Sequence, residues 1–212
     1  FNSELKDIFL KYAQRMAKGF SSEDIQKVKN MRDVDKYCYY AAALVGGAIQ
    51  ETFLLRGYLT NRQYNELITP ARRMGKALQL ANNLRDLFED SQNGLSRWPN
   101  QYVEPIMNAI NENDETIRND KIKKVYEDEF KYMAGYTVSA MLDAVEYLDK
   151  LPAGAPYSPK IFTSLGLLGY SVIVGRVVNK EFIGSRGNYC KPNIHDGLEI
   201  LDLAGYIAKE GN

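Results

Sequence analysis

Residues 77–90 read ALQLANNLRDLFED. At 100° per residue, Ala77, Leu78, Ala81, Leu84 and Phe88, with Met74 before them, fall at helical spacing and form an apolar stripe. Gln79, Asn83, Asp86 and Asp90 fall within about 60° of one another on the same projection, with Asn82 and Glu89 beside them. The stretch is therefore a helix with an amide-and-carboxylate stripe on one side. Asp86 and Asp90 are one turn apart, an arrangement that costs an isolated helix about 0.2–0.5 kcal/mol by repulsion. A solvated face is one reading of such a stripe. Against it, a solvated face normally mixes Lys, Glu and Arg, whereas this one uses short Asn and Asp side chains.

Outward from this helix the same periodicity recurs. Residues 3–19 form an amphipathic helix with Leu5, Ile8, Phe9, Tyr12 and Met16 on one stripe. Residues 33–56, DVDKYCYYAAALVGGAIQETFLLR, form an apolar helix, uncharged from Tyr37 to Gln50 and so expected to be buried. Thr69 and Pro70 are expected to cap and begin the helix that carries the stripe. That helix runs to about Ser91 and stops at Asn93-Gly94. Trp98-Pro99 opens a new segment, 114–150 reads as a long helix with a break at Gly135, and 151–159, LPAGAPYSP, reads as a loop. Helices follow at about 159–180 and 194–209. No alternating pattern, repeat or shift in composition appears, so residues 1–212 are read as one all-α domain, a helical bundle.

Composition excludes several functions. A formal net charge of zero gives no field for nucleic acid. The two cysteines, Cys38 and Cys190, have no CxxC spacing and point to a reducing compartment; the single histidine, His195, cannot build a His-rich metal site. The apolar run from Ile161 to Val178 is interrupted by Ser, Thr, Gly and Arg and reads as a buried core helix rather than a membrane span. With no signal peptide, the expected location is cytoplasmic or peripheral to a membrane. The chain opens on Phe1, which reads as a fragment or a processed product.

The chemistry that suits the stripe is Mg²⁺ binding, because Mg²⁺ is usually held by one or two carboxylates together with phosphate oxygens and waters. Asp86 and Asp90 can reach one hydrated cation or two adjacent ones, and Gln79 and Asn82 can bind waters or phosphate oxygens. Arg85 either pairs with a diphosphate or bridges to Glu89 at i+4.

These residues resemble a known family. Gln79, Asn82, Arg85-Asp86 and Glu89-Asp90 look like the second aspartate-rich motif of the squalene/phytoene synthase family. Residues 35–47, DKYCYYAAALVGG, are similar to the family's tyrosine signature, and Gly94 to Pro99 keeps the spacing of its Gly-Arg-x-x-Trp-Pro segment, closest to squalene synthases. The resemblance is firm over about 7–102 and collinear to 190. It implies an isoprenoid synthase-type helical bundle, incomplete at its N-terminus here, and a Mg²⁺-dependent head-to-head condensation of two prenyl diphosphates, with farnesyl diphosphate as substrate. It also implies Asp86 and Asp90 as metal ligands, and Gln79, Asn82 and Arg85 beside the diphosphate. Tyr37 is implied to assist the carbocation chemistry, and Ala42, Val45, Gly46 and Ile49 to line the prenyl channel. Read from the residues alone, the small side chains at 41–43 and 46–47 equally suit close helix packing.

The chain departs from the family pattern in three places. The first aspartate-rich motif is expected several tens of residues before the tyrosine signature, where this chain has no room for it; it is then truncated, lost or supplied by a partner chain. Leu95 stands at the arginine of the Gly-Arg-x-x-Trp-Pro segment, although Arg97 is close by. Gly187 and Tyr189 stand where squalene synthases carry a basic segment for cofactor phosphate, which puts NADPH use in doubt. The competing expectation is a non-catalytic structural or assembly subunit, for example of a mitochondrial complex.

Overall fold

The computed structural model describes residues 3–21, 27–125, 128–129, 131–152 and 168. Its helices, numbered in chain order, are α1 (Ser3–Phe20), α2 (Met31–Cys38), α3 (Leu44–Leu55), α4 (Asn61–Arg85), α5 (Leu87–Gln92), α6 (Asn100–Ile110), α7 (Glu115–Val125) and α8 (Lys131–Lys150). No strand occurs among the described residues. Most of the loop after Leu151, the helices expected at 159–180 and 194–209, the segment 181–191, Cys190 and His195 lie outside them.

α4 is the axis of the bundle. On one side Leu80 and Leu84 pack with Val34 and Cys38 of α2, Leu87 of α5, Trp98, Val103 and Ile106 of α6, and Met133 of α8, with Trp98 just ahead of its helix. On another side Met74, Ala77 and Ala81 pack with Phe53 of α3 and with Met141, Ala144 and Tyr147 of α8. A smaller cluster joins Ile8 and Tyr12 of α1 to Leu44 and Ala48 of α3. Phe9, expected on the α1 stripe, is exposed, because Ile8 and Tyr12 define the buried line and Phe9 is turned about 100° from Ile8.

The helix that carries the stripe begins earlier than expected. Thr60 is its N-cap: the Gln63 N–H donates to Thr60 Oγ1 at 3.3 Å, and Gln63 Oε1 accepts the Thr60 N–H at 2.9 Å. This reciprocal capping box outweighs the proline as a start signal. Pro70 then lies inside α4, where it forgoes the bond to the carbonyl of Glu66. The expected long helix at 114–150 is two helices, α7 and α8, and Gly135 lies within α8 with open space where a side chain would be.

The helix ends follow from glycine. At Gly57 (φ 72°) the Tyr58 N–H donates to Phe53 O and the Gly57 N–H to Leu54 O, both at 2.9 Å. At Gly94 (φ 69°) the Leu95 N–H donates to Asp90 O at 2.7 Å and the Gly94 N–H to Ser91 O at 3.1 Å. Both are Schellman closures, which need a left-handed residue that glycine adopts without strain.

Two helix crossings set the site's geometry. A π-helical turn at Tyr39–Ala43 joins α2 to α3. It brings the carbonyl of Ala42 against Gly75 of α4, while Gly46 of α3 meets the carbonyl of Ala71; a Cβ at either glycine would lie 2.3 Å from that oxygen. The tyrosine-bearing segment and the stripe are thus held backbone to backbone.

Candidate functional site

The polar stripe runs up α4 and over its end into α5. Gln79 Nε2 donates to Asn83 Oδ1 at 2.9 Å, and Asn83 Nδ2 donates to Cys38 Sγ at 3.6 Å. Asn83 and Cys38 are both buried, and burial pushes the Cys38 thiol up to about 12, so it stays a neutral acceptor. The lower part of the stripe is therefore an interior polar seam between α4 and α2, not a solvated face. Asn82 is half-buried beside it, and its carbonyl accepts the Asp86 N–H at 2.9 Å.

At Asp86 the helix bends, with φ −91° and ψ 5° between α4 and α5. The Asp90 N–H still donates to the Asp86 carbonyl at 2.8 Å, so the two aspartates keep their one-turn spacing across the bend. Arg85 grips Asp86 with two bonds of 2.6 Å, Nε to Oδ1 and Nη2 to Oδ2. This bidentate pair is stronger and more directional than a single charged contact. The carboxyl of Asp90 is held above the usual carboxylate range, first by its burial and then by the charges of Asp86 and Glu89, which Arg97 and Arg85 partly offset. A partly buried carboxylate under like-charge pressure is the electrostatic condition that a cation relieves.

Tyr37 faces this end of the stripe. Its ring packs edge-on to Phe20 with centroids 6.0 Å apart, and the Arg97 guanidinium lies over it at 4.6 Å. Burial raises the Tyr37 phenol, with Arg97 pulling the other way, so it holds its proton at neutral pH. Two residues earlier, Asp35 accepts from Lys76 Nζ and from the Tyr136 hydroxyl, each at 2.7 Å, tying α2, α4 and α8 together.

Among the small-residue positions, Ala42 and Gly46 stand at the α3–α4 crossing, Ile49 is half-buried against the α4–α8 core, and Val45 is 40% exposed. Asp33 belongs to a capping box with Asn30 at the start of α2. Among the described residues, no three His, Cys, Asp or Glu side chains are grouped to hold a metal ion. A shallow apolar groove of about 530 Å³ lies on α1, lined by Lys6, Phe9, Leu10 and Ala13, none of them a stripe residue.

Arg97 is the residue that sequence reasoning undervalued. The signal was present in Trp98-Pro99: both are fully buried, and they fix the residue before them. Leu95, which occupies the family's arginine position, is 51% exposed.

The model of the squalene/phytoene synthase family matches residues 5–168. The chain belongs to the squalene/phytoene synthase family. Squalene synthases are among its curated relatives: that of Candida albicans is 32% identical over 99 residues, which are 46% of this chain and 22% of the relative. That of Mus musculus is 36% identical over 87 residues, covering 41% and 21%, and that of Saccharomyces cerevisiae 26% over 155, covering 70% and 33%. The chain thus spans about a fifth to a third of the curated relatives it matches. Among solved structures, TcSQS with the ligand BPH1237 superposes with a TM-score of 0.76 at 22% identity, covering 97% of this chain and 60% of that one. A dehydrosqualene synthase superposes with a TM-score of 0.63 at 19% identity, covering 92% and 64%. Likeness at these identities establishes the fold, the helical isoprenoid synthase bundle of this squalene/phytoene synthase family member. No helix among its described residues is long and apolar enough to cross a membrane.

Proposed function

We propose that the protein condenses two prenyl diphosphates head to head with Mg²⁺ as cofactor, and that farnesyl diphosphate is its substrate. The observation that supports this is the one-turn spacing of Asp86 and Asp90, kept across the bend between α4 and α5, in a chain of the squalene/phytoene synthase family. The donor chemistry fits the cation, since two carboxylates plus diphosphate oxygens make a usual Mg²⁺ set. When bound, Mg²⁺ supplies the positive charge against which diphosphate departs.

Each side chain then has a task. Asp86 and Asp90 hold the cation, and Arg85 fixes the orientation of Asp86 through its bidentate grip. The Gln79 and Asn82 amides, with Arg85, face diphosphate oxygens. The Tyr37 ring offers a π face to positive charge developing on the prenyl carbon, and its retained proton can hydrogen-bond to the leaving oxygen. Val45 and Ile49 line the prenyl chain's path, where exclusion of water protects the carbocation, and Ala42 and Gly46 border it at the helix crossing. The lipid substrate brings the protein to a membrane surface.

Trp98 is the sole tryptophan and sits beside Arg97, so its fluorescence reports on the site. Titrating farnesyl diphosphate should change that signal only with Mg²⁺ present, and Asp86→Asn and Asp90→Asn should each weaken the response at least tenfold. Equal responses without Mg²⁺ would overturn the proposal.

A second reading, an assembly subunit without catalysis, is favoured by one observation: both carboxylate oxygens of Asp86 are engaged by Arg85. It requires a stoichiometric protein partner and no response to farnesyl diphosphate in the same titration.

A further inference from the structure

We propose that Arg97 is a diphosphate-binding residue of this chain and that the Tyr37 ring is the platform that holds it. The inference rests on the function proposed above and extends it to a residue outside the stripe. A guanidinium lying over an aromatic ring uses one face for the cation–π contact and keeps its five N–H donors at the edge, where oxyanions bind. Arg97 lies over the Tyr37 ring, with its guanidinium carbon 4.6 Å from the ring centroid and the Tyr37 side chain within hydrogen-bonding reach of it.

Its delivery is not left to a free loop. The Schellman closure at Gly94 ties Leu95 N–H to Asp90 O at 2.7 Å, so the loop starts from the backbone of Asp90 itself. Three residues after that closure, Trp98 is fully buried in the α2–α4–α6 core. Between them Ser96 Oγ bridges the Trp98 carbonyl at 3.0 Å and the Trp98 N–H at 3.3 Å. Arg97 lies between two fixed points, one at each end of a four-residue span.

The electrostatics of the site ask for such a cation. A diphosphate arriving at Asp86, Glu89 and Asp90 meets three carboxylates, and Arg85 is committed to Asp86 by two bonds of 2.6 Å. A second arginine at the Asp90 end adds to the partial offset that Arg85 supplies there. Planarity matters as well as charge, because bidentate binding of phosphate oxygens is a property of guanidinium and not of ammonium.

The test is isothermal titration of the full chain with inorganic pyrophosphate in excess Mg²⁺, comparing wild type, Arg97→Gln, Arg97→Lys and Asp86→Asn, with thermal melts of each. The expected result is 10- to 100-fold weaker binding for Arg97→Gln and an intermediate loss for Arg97→Lys, with melting temperatures near wild type. Should Arg97→Gln destabilise the fold, Arg97→Lys, which keeps the cation–π contact, carries the test. If both Arg97 variants bind within twofold of wild type while Asp86→Asn is weakened tenfold, Arg97 is only a prop for Tyr37 and this inference fails while the diphosphate site stands. If wild type does not bind pyrophosphate, or no variant changes binding, the proposed function fails and takes this inference with it.

Discussion

Replacing glycine by alanine at two helical positions should shift stability in opposite directions. At Gly75, in α4, the added Cβ would lie 2.3 Å from the Ala42 carbonyl oxygen, 2.9 Å from its carbon and 3.0 Å from Ala43 Cα. All three are backbone atoms, so no side chain can rotate away, and the tyrosine-bearing segment and α4 must separate by roughly an ångström to restore van der Waals contact. Overpacking of this kind costs about 1–3 kcal/mol, and the upper end applies where backbone must move. Helix propensity returns about 1 kcal/mol, leaving a net loss of about 1–2 kcal/mol. For a chain of this size that lowers Tm by about 2–8 °C. At Gly135, in α8, nothing lies within 4 Å of where the alanine methyl would sit, so only the propensity gain remains. Gly135→Ala should raise Tm by about 2–4 °C. Both are read by thermal melts followed through the helical circular dichroism signal in the far ultraviolet, since the described fold is all-α. A Gly75→Ala protein that melts at or above wild type would refute the close crossing, and with it the placement of Tyr37 relative to the stripe.

Other outcomes follow from the same contacts. Asp90→Asn should stabilise the metal-free protein at neutral pH, because the native carboxyl is raised above its ordinary value of 3.8 by burial and neighbouring charge. The unfolded state then releases its proton first as pH rises, so wild-type stability falls between 3.8 and the raised native value. The advantage of Asp90→Asn should vanish below that window, which denaturant titrations across acid pH will show. Tyr147→Phe should cost about 1–3 kcal/mol, since the Tyr147 hydroxyl donates to buried Gln50 Oε1 at 2.6 Å and its loss strands that oxygen; urea midpoints measure it.

The fold was legible because its signals are local. Helical periodicity at 3–19, 33–56 and 70–91, and the stop at Asn93-Gly94, each depend on residues within a turn or two of one another. The helix start at Thr60 was missed because Pro70 carries a strong terminal signal, which the Thr60–Gln63 capping box outweighs while Leu67 and Ala71 on either side of the proline are buried in the core. The stripe was legible as a stripe, but its environment was not. That Asn83 is sealed against Cys38 depends on α2, 45 residues away in the chain. The Asp35–Lys76–Tyr136 tie spans 101 residues and has no local signature. Arg97 was near the expected arginine in sequence, yet only the burial of Trp98 and the closure at Gly94 show that it, and not exposed Leu95, meets Tyr37.

The most direct measurement is release of inorganic diphosphate from farnesyl diphosphate by the full-length protein, with Mg²⁺ or with EDTA, and with or without NADPH. A head-to-head prenyl transferase should release diphosphate only with Mg²⁺, and Asp86→Asn should reduce the rate at least a hundredfold. No release by the wild-type protein, alone or with any protein that co-purifies with it, or an unchanged rate in Asp86→Asn, would contradict the assignment of this site.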